Sequence, residues 1–209
     1  VIREQQGPGW SMSLSTAPET YAAALRLYTR RQADETIVFF GRNAARILVW
    51  WRSQEADSGR FWMELSGWIL GTVLGYAMSL RGLPTLPGSV VAIGDHAVGL
   101  LGVSGAGKST LAAAFVSAGH ALLADDHLVV GQDHRGYCAM PGPPRLCLWP
   151  TSLSVLDAES ETPSFFANAD GKHYVEPADG AYCRDSLPLA AIYILMPRDP
   201  QRTEAAIED

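Results

Sequence analysis

Eight consecutive residues limit what this chain can fold into more than any other feature. Gly102-Val103-Ser104-Gly105-Ala106-Gly107-Lys108-Ser109 carries the pattern G-x-x-x-x-G-K-[ST] in full. Before it lie two short apolar runs, Ser89 to Ile93 and Ala97 to Leu101, separated by Gly94-Asp95-His96, as in a hairpin with a tight turn. After it, Lys108 to Ala118 is made of strong helix formers, and Gly119 stands where a left-handed C-terminal cap is expected. The motif therefore falls between a strand and a helix, the context it requires. There the glycines let the backbone curl with its N–H groups pointing inward, and the helix N-terminus adds partial positive charge. Such a loop is expected to hold the phosphates of a nucleoside triphosphate with magnesium. Gly102, Ser104, Gly105, Ala106, Gly107 and Thr110 are the expected lining, with Lys108 set at the β- and γ-phosphates and Ser109 as a magnesium ligand.

Sixteen residues after Ser109 come Asp125 and Asp126, directly after an apolar run from Ala121 to Ala124 that reads as a strand. If that strand lies beside the one that feeds the loop, both carboxylates emerge at the same sheet edge as the phosphates. One then holds magnesium and the other accepts a proton from an attacking hydroxyl, which makes Asp125, Asp126 and Lys108 the candidate catalytic residues. An Asp-Asp pair elsewhere in a chain more often caps a turn; the loop beside it favours the chemical reading.

Bulk properties exclude several other classes. With 209 residues, 47% of them apolar, the chain can bury one substantial core with a small appendage. A formal charge of -6, with no window rich in Lys and Arg, argues against a nucleic-acid partner. Cys138, Cys147 and Cys183 form neither a C-x-x-C pair nor an even set, so a reducing cytoplasm fits and no zinc site is suggested. The N-terminal residues have no basic stretch followed by an apolar one, so no secretory signal is expected. Phe61 to Leu80 is nearly long and apolar enough for a membrane span, but Glu64, Ser66 and three glycines lie within it. It is expected to be a buried core helix, ended by Arg81-Gly82-Leu83-Pro84, and no membrane partner is expected.

Towards the N-terminus, Thr36 to Phe40 and Ala45 to Trp51 flank Gly41-Arg42-Asn43 and read as a hairpin. SMSLSTAP reads as a short strand, and PETYAAALRLYTRRQ has a helix-favouring composition. These signals divide the chain into a small β-rich unit at 1–58 and a P-loop catalytic domain at 59–209. In the latter, Leu128 to Val130 and Leu189 to Leu195 are expected strands, and Ser164 to Asp185 a polar mobile loop.

GxSGxGKS followed by GHALLADD resembles the catalytic domain of HPr kinase/phosphorylase and its relatives. That family carries G-E-S-G-I-G-K-S, a helix, and then G-H-x-L-V-A-D-D at the same offset, so Gly119, His120, Leu122, Ala124, Asp125 and Asp126 all match. The RGLPTLPGSVVAIGDHAVGLLG approach and the PGPPRLCLWP and PLAAIYIL segments resemble the shorter HPr-kinase-like proteins, including kinases of lasso-peptide clusters, over roughly residues 60 to 198. The resemblance implies an α/β fold, a central sheet with flanking helices, and transfer of the γ-phosphoryl group of ATP, with Mg2+, to a serine hydroxyl. The implied acceptor is a peptide or small protein, such as a lasso-peptide precursor, and a homo-oligomer is among the assemblies the family forms. By the same resemblance Ser109, Asp125 and Asp126 take the metal and base roles. Two departures stand out: Pro87 occupies the place of a family histidine thought to lie near the catalytic carboxylate, and the downstream arginine-glycine signature is not visible. Forward transfer only, and an acceptor other than HPr, are therefore expected.

Arg145, whose planar fork of donors suits phosphate, is a candidate to line the acceptor site, with a surface ion pair as the plainer alternative, and Lys172, in DGKHYV, resembles a family lysine near the nucleotide; both join the expected cofactor-binding set. Trp149 is an expected packing residue with a place near the acceptor as the sharper alternative, while His96, His120 and His127 read as structural. Two rival functions share the same cradle: a small-molecule kinase, and a regulatory ATPase module whose hydrolysis drives a conformational change.

Overall fold

The computed structural model describes residues 3–7, 10–14, 25–31, 34–40, 44, 46–52, 59–134, 136–156, 165–167 and 171–196. The chain divides into two compact units, Val1–Thr85 and Leu86–Asp209, so the first ends at Thr85 rather than at residue 58. The physical reason lies in the helical segment, which buries its apolar side among residues of the N-terminal sheet.

In the first unit, strands β1 (Arg3–Gly7), β2 (Trp10–Leu14), β3 (Leu25–Arg31), β4 (Asp34–Phe40) and β5 (Arg46–Arg52) form one sheet in the order β1-β2-β5-β4-β3. The expected hairpin is β4 with β5, paired antiparallel from Glu35↔Arg52 to Phe40↔Ile47; its turn lies outside the described residues. The helix-favouring composition around residue 25 misleads. Leu25–Arg31 is a strand in unbroken antiparallel register with β4, and a full ladder of backbone hydrogen bonds outweighs a weak intrinsic preference.

Helix α1 (Gly59–Trp68) passes through a π-helical stretch, Ile69–Val73, into α2 (Leu74–Leu80). Phe61, Leu65, Val73 and Ala77 are buried with Ala44, Ile47 and Val49, while Trp51, Trp62, Trp68, Ile69 and Met78 pack around them. Gly67, Gly71 and Gly75 are buried as well, so the hidden face runs on through the π-helical stretch. Leu70, Tyr76 and Leu80 are exposed, so this helix hides one face instead of being buried all round. No helix among the described residues is long and apolar enough to cross a membrane.

The second unit is mixed α/β. β6 (Thr85–Ile93) turns through Gly94, at φ +56°, into β7 (His96–Gly102), giving the expected hairpin from Gly88↔Leu101 to Ile93↔His96. Helix α3 (Lys108–Ser117) follows, and Gly119 at φ +90° closes it as a left-handed cap. Then come β8 (Ala121–Ala124), β9 (His127–Asp133), β10 (Gly136–Met140), β11 (Leu146–Leu148), a 3-10 segment at Pro150–Leu156, β12 (Phe165–Ala167), β13 (His173–Val175) and β14 (Leu187–Leu195). The six-stranded sheet has the order β7-β14-β10-β9-β6-β8, and β7 also pairs with β6, so the sheet curls back on itself. β11, β13 and β12 form a second, three-stranded sheet. That pairing corrects the expectation of a loop throughout Ser164 to Asp185: three-residue strands are too short to leave a periodic signal, and β11 supplies their register through Leu146↔Val175 and Leu148↔His173.

Two apolar layers cover the large sheet. Val91, Leu100 and Leu122 meet Ala112 and Ala113 of α3 together with Leu146, Leu148 and Val175. Val90, Leu123 and Ala124 bury instead with Ala97, Leu128 and Ala139. Adjacent residues of β6 and of β8 thus enter different cores, which explains why these strands read as continuous apolar runs rather than as alternating ones.

Candidate functional site

The Gly102–Ser109 loop leaves the sheet at the end of β7 and enters α3 directly. Gly102, Gly105 and Gly107 all take left-handed φ values, +145°, +84° and +94°. Gly102 has a second constraint, since a Cβ there would lie 2.7 Å from the Leu195 carbonyl oxygen. Gly107 caps α3 with no side chain over the helix head, and the first turn carries no acidic residue. The first amides of a helix lack intrahelical acceptors, so the positive pole of α3 stays available to an anion. Lys108 donates from Nζ to the carbonyls of Gly102 at 3.0 Å and Val103 at 2.9 Å, which holds its ammonium over the curl of the loop. Ser104 and Gly105 form the exposed rim, and Ala106 closes an inner turn by donating its amide to the Val103 carbonyl at 3.2 Å. Thr110 shares a 2.9 Å hydrogen bond with Ser152, tying the first turn of α3 to the 3-10 segment.

β8 does not lie beside β7, as the sequence reading supposed. β6 runs between them, antiparallel to both, with Gly88 opposite Leu101 and Val90 opposite Ala124. β7 and β8 are therefore parallel to each other and end at the same sheet edge, so the Asp pair still arrives next to the loop. Asp125 is buried, at 6% exposure. Its Oδ1 accepts hydrogen bonds from Ser89 Oγ at 2.6 Å and Ser109 Oγ at 3.0 Å, and its Oδ2 accepts the Cys147 amide at 2.8 Å. Burial first, and then the neighbouring charge of Asp126, push the Asp125 carboxyl from 3.8 up to about 6, against the pull of the hydrogen bonds from Ser89 and from the amides of Cys147 and Asp126.

Asp126 differs in each respect. Its backbone is left-handed, at φ +73°, a conformation that few residues other than glycine adopt and that Asp tolerates better than most. Its carbonyl accepts the Gly88 amide at 3.1 Å, which sets Pro87 one residue from this contact. Its side chain is 33% exposed, and Oδ2 lies 3.5 Å from Arg145 Nη2.

Arg145 opens a wall that runs along β11 and β13. Its guanidinium stacks 4.5 Å from the centre of the Tyr174 ring, and Lys172 Nζ lies 5.5 Å from that of Trp149. Both cations act on Cys147 electrostatically, as do both carboxylates. Burial, followed by the charge of Asp126, nevertheless pushes the Cys147 thiol up to about 12, so it stays protonated and this residue serves through its backbone amide. His127, next to the pair, is pushed down by burial, against the pull of Asp126.

The fold thus joins Ser109 to Asp125 by a direct hydrogen bond, folds Lys108 over the loop that ends at Ser109, and brings Asp126 and Arg145 to the same place. Chemically, the amides at the head of α3 and the Lys108 ammonium are donors for an anion. The Ser109 hydroxyl and the carboxylates are hard oxygen ligands of the kind magnesium takes together with phosphate oxygens. Among the described residues no three His, Cys, Asp or Glu side chains form a cage of their own. The sequence reading missed Ser89 and the Cys147 amide. A backbone amide leaves no trace in a sequence, but a lone hydroxyl next to Val90-Val91-Ala92 is a polar residue in a run buried on both faces, and that was a signal.

No protein-family model matches the chain, and no curated protein matches it. Among solved structures it is similar to the Hpr(Ser) kinase/phosphatase from Coxiella burnetii, at 17% identity and a TM-score of 0.36, over 57% of this chain and 73% of that one.

Proposed function

We propose that this chain is an ATP-dependent kinase that transfers the γ-phosphoryl group of magnesium-bound ATP to a serine hydroxyl of a peptide or small protein, such as a lasso-peptide precursor. One observation carries the reading: Ser109, the last residue of the loop, donates to Asp125 at 3.0 Å, linking a phosphate-type cradle to a pair of carboxylates. A switch that only hydrolyses nucleotide has less use for a second carboxylate, partly exposed and next to a cation, than an enzyme that must deprotonate an external hydroxyl.

The differing environments of the two carboxylates support one division of roles. Asp125, buried and held by donors on both oxygens, keeps the Ser109 hydroxyl oriented and stands on the metal side. Asp126, exposed to an incoming group and flanked by Arg145, is the base. It takes the hydroxyl proton as the serine oxygen bonds to the γ-phosphorus and the bond to the bridging oxygen of ADP breaks. Ser109 and Asp125 would hold magnesium, which when bound would supply charge neutralisation. The α3 amides and Lys108 hold the phosphate chain, and Lys108 follows the charge that shifts onto the leaving oxygen. Lys172, expected near the nucleotide, is read with Arg145 as positive charge on the acceptor side, because both belong to the side-chain wall along β11 and β13.

The test is mass spectrometry of serine-containing precursor peptides incubated with the protein, ATP and Mg2+. A gain of one phosphate on a serine, absent with Asp126→Asn, is the expected result. Phosphorylation confined to small hydroxyl compounds would make this a small-molecule kinase. ATP turnover indifferent to every acceptor would make it an ATPase module.

A further inference from the structure

Ser89 plays no part in the motif, yet it is the residue most completely committed to the site. It lies on β6, the strand inserted between the two that carry the loop and the Asp pair, and it faces Leu100 in the β7 register, one residue before the position that faces Ala124 of β8. Its exposure is 0%, and its neighbours Val90 and Val91 are fully buried in the two cores. A hydroxyl in such a place is destabilising unless it finds a partner. Ser89 finds one in Asp125 Oδ1 at 2.6 Å, the same oxygen that receives the Ser109 hydroxyl at 3.0 Å.

We propose that Ser89 is a positioning residue for the divalent cation, acting through Asp125 to fix the direction of the Ser109 hydroxyl; this rests on the reading of the loop as a magnesium-nucleotide site. The hydroxyl hydrogen of Ser109 is spent on Oδ1, so the lone pairs of its oxygen are left for a cation at the loop. That division holds only while Oδ1 stays where it is. Cys147 anchors Oδ2 from the β11 side, and a carboxylate held at one oxygen can still swing about it. Ser89 supplies the second anchor from the opposite strand and removes the swing. Outer partners that orient a metal ligand in this way are typically worth about 10–100-fold in metal affinity or activity.

The experiment measures Mn2+ binding to the complex of the protein with a non-hydrolysable ATP analogue, by electron paramagnetic resonance, and separately the affinity for the analogue in EDTA. Ser89→Ala is expected to weaken Mn2+ binding by about 10–100-fold and to leave the metal-free affinity unchanged. Ser89→Thr, which keeps the hydroxyl, is expected to restore it. In a Ser109→Ala background, Ser89→Ala is expected to add little, because the residue acts through that hydroxyl. If Ser89→Ala does not fold, Ser89→Cys, with similar volume and a feeble donor, carries the same expectation. Wild-type Mn2+ affinity in a folded Ala or Cys variant, or equal losses with and without metal, would overturn the proposal. Failure of the wild-type protein to bind the Mn2+ complex would instead overturn the reading of the loop itself.

Discussion

The loop Gly102–Ser109 and the wall formed by residues 145–149 and 171–175 meet at the same two carboxylates, yet they are built in opposite ways. The loop is made of backbone: three glycines in left-handed conformations, a helix head, and one lysine folded over them. The wall is made of side chains brought together by strand pairing, with Arg145 on Tyr174, Lys172 on Trp149, and Cys147 offering its amide to Asp125. A backbone device tolerates almost no change in residue type at its glycines and little change in geometry. A side-chain device can be altered one charge at a time. On the proposed function, the loop is the fixed end of the site and the wall its adjustable end.

The largest expected effect tests whether the two carboxylates belong to different devices. Asp126→Asn should lower phosphoryl transfer by about 10²–10⁴-fold while leaving Mg-ATP affinity and the melting temperature near wild type, because Asn also tolerates a left-handed backbone. Loss of nucleotide binding in that variant would place Asp126 with the loop and break the comparison.

Asp125 should instead report through stability. Its carboxyl titrates near 6 in the folded protein against 3.8 when exposed, so the folded state binds the extra proton between those values. The corresponding stabilisation is fully present below about pH 4 and is lost as pH rises through about 6, an effect on the order of 3 kcal/mol. Denaturant unfolding in EDTA across that range should show the loss in the wild-type protein and not in Asp125→Asn. Identical pH profiles for the two would remove the buried ionisable group from the account.

Within the loop, Gly107→Ala should destabilise by about 1–2 kcal/mol from the left-handed backbone alone, since its Cβ would meet nothing within 4 Å. Gly102→Ala should be worse, because its Cβ also crowds the Leu195 carbonyl. Equal melting temperatures for these two variants would mean that strand β14 does not constrain the loop. The smallest effect belongs to the wall, where Lys172→Ala should change acceptor KM by the worth of an exposed cation–π contact, about 0.5–1 kcal/mol, with KM for ATP unmoved. A larger change in the ATP constant would return Lys172 to the nucleotide side.

The same contrast explains what the sequence disclosed. The loop was legible because its chemistry is local: the glycines, Lys108 and Ser109 announce themselves within eight residues, and the flanking strand and helix follow from composition. The Asp pair was legible by its offset, although β6 and not β7 proved to be the neighbour of β8. The wall was not legible, since β13 is three residues long and acquires its register from β11, more than twenty residues earlier. The strand at Leu25–Arg31 was misread for a related reason, as pairing with β4 settles its conformation and its own residues do not. Within the segment from residue 59 to 80, the π turn at Ile69–Val73 is a feature that no periodicity rule anticipates.

The central claim is that the curl at the head of α3 grips a triphosphate with its cation. Calorimetric titration of the wild-type protein with Mg-ATP, beside Lys108→Ala, tests it most directly. Saturable binding that weakens by about 1.5–3 kcal/mol on loss of the ammonium is the predicted result. Absence of binding, or binding indifferent to Lys108, would contradict it.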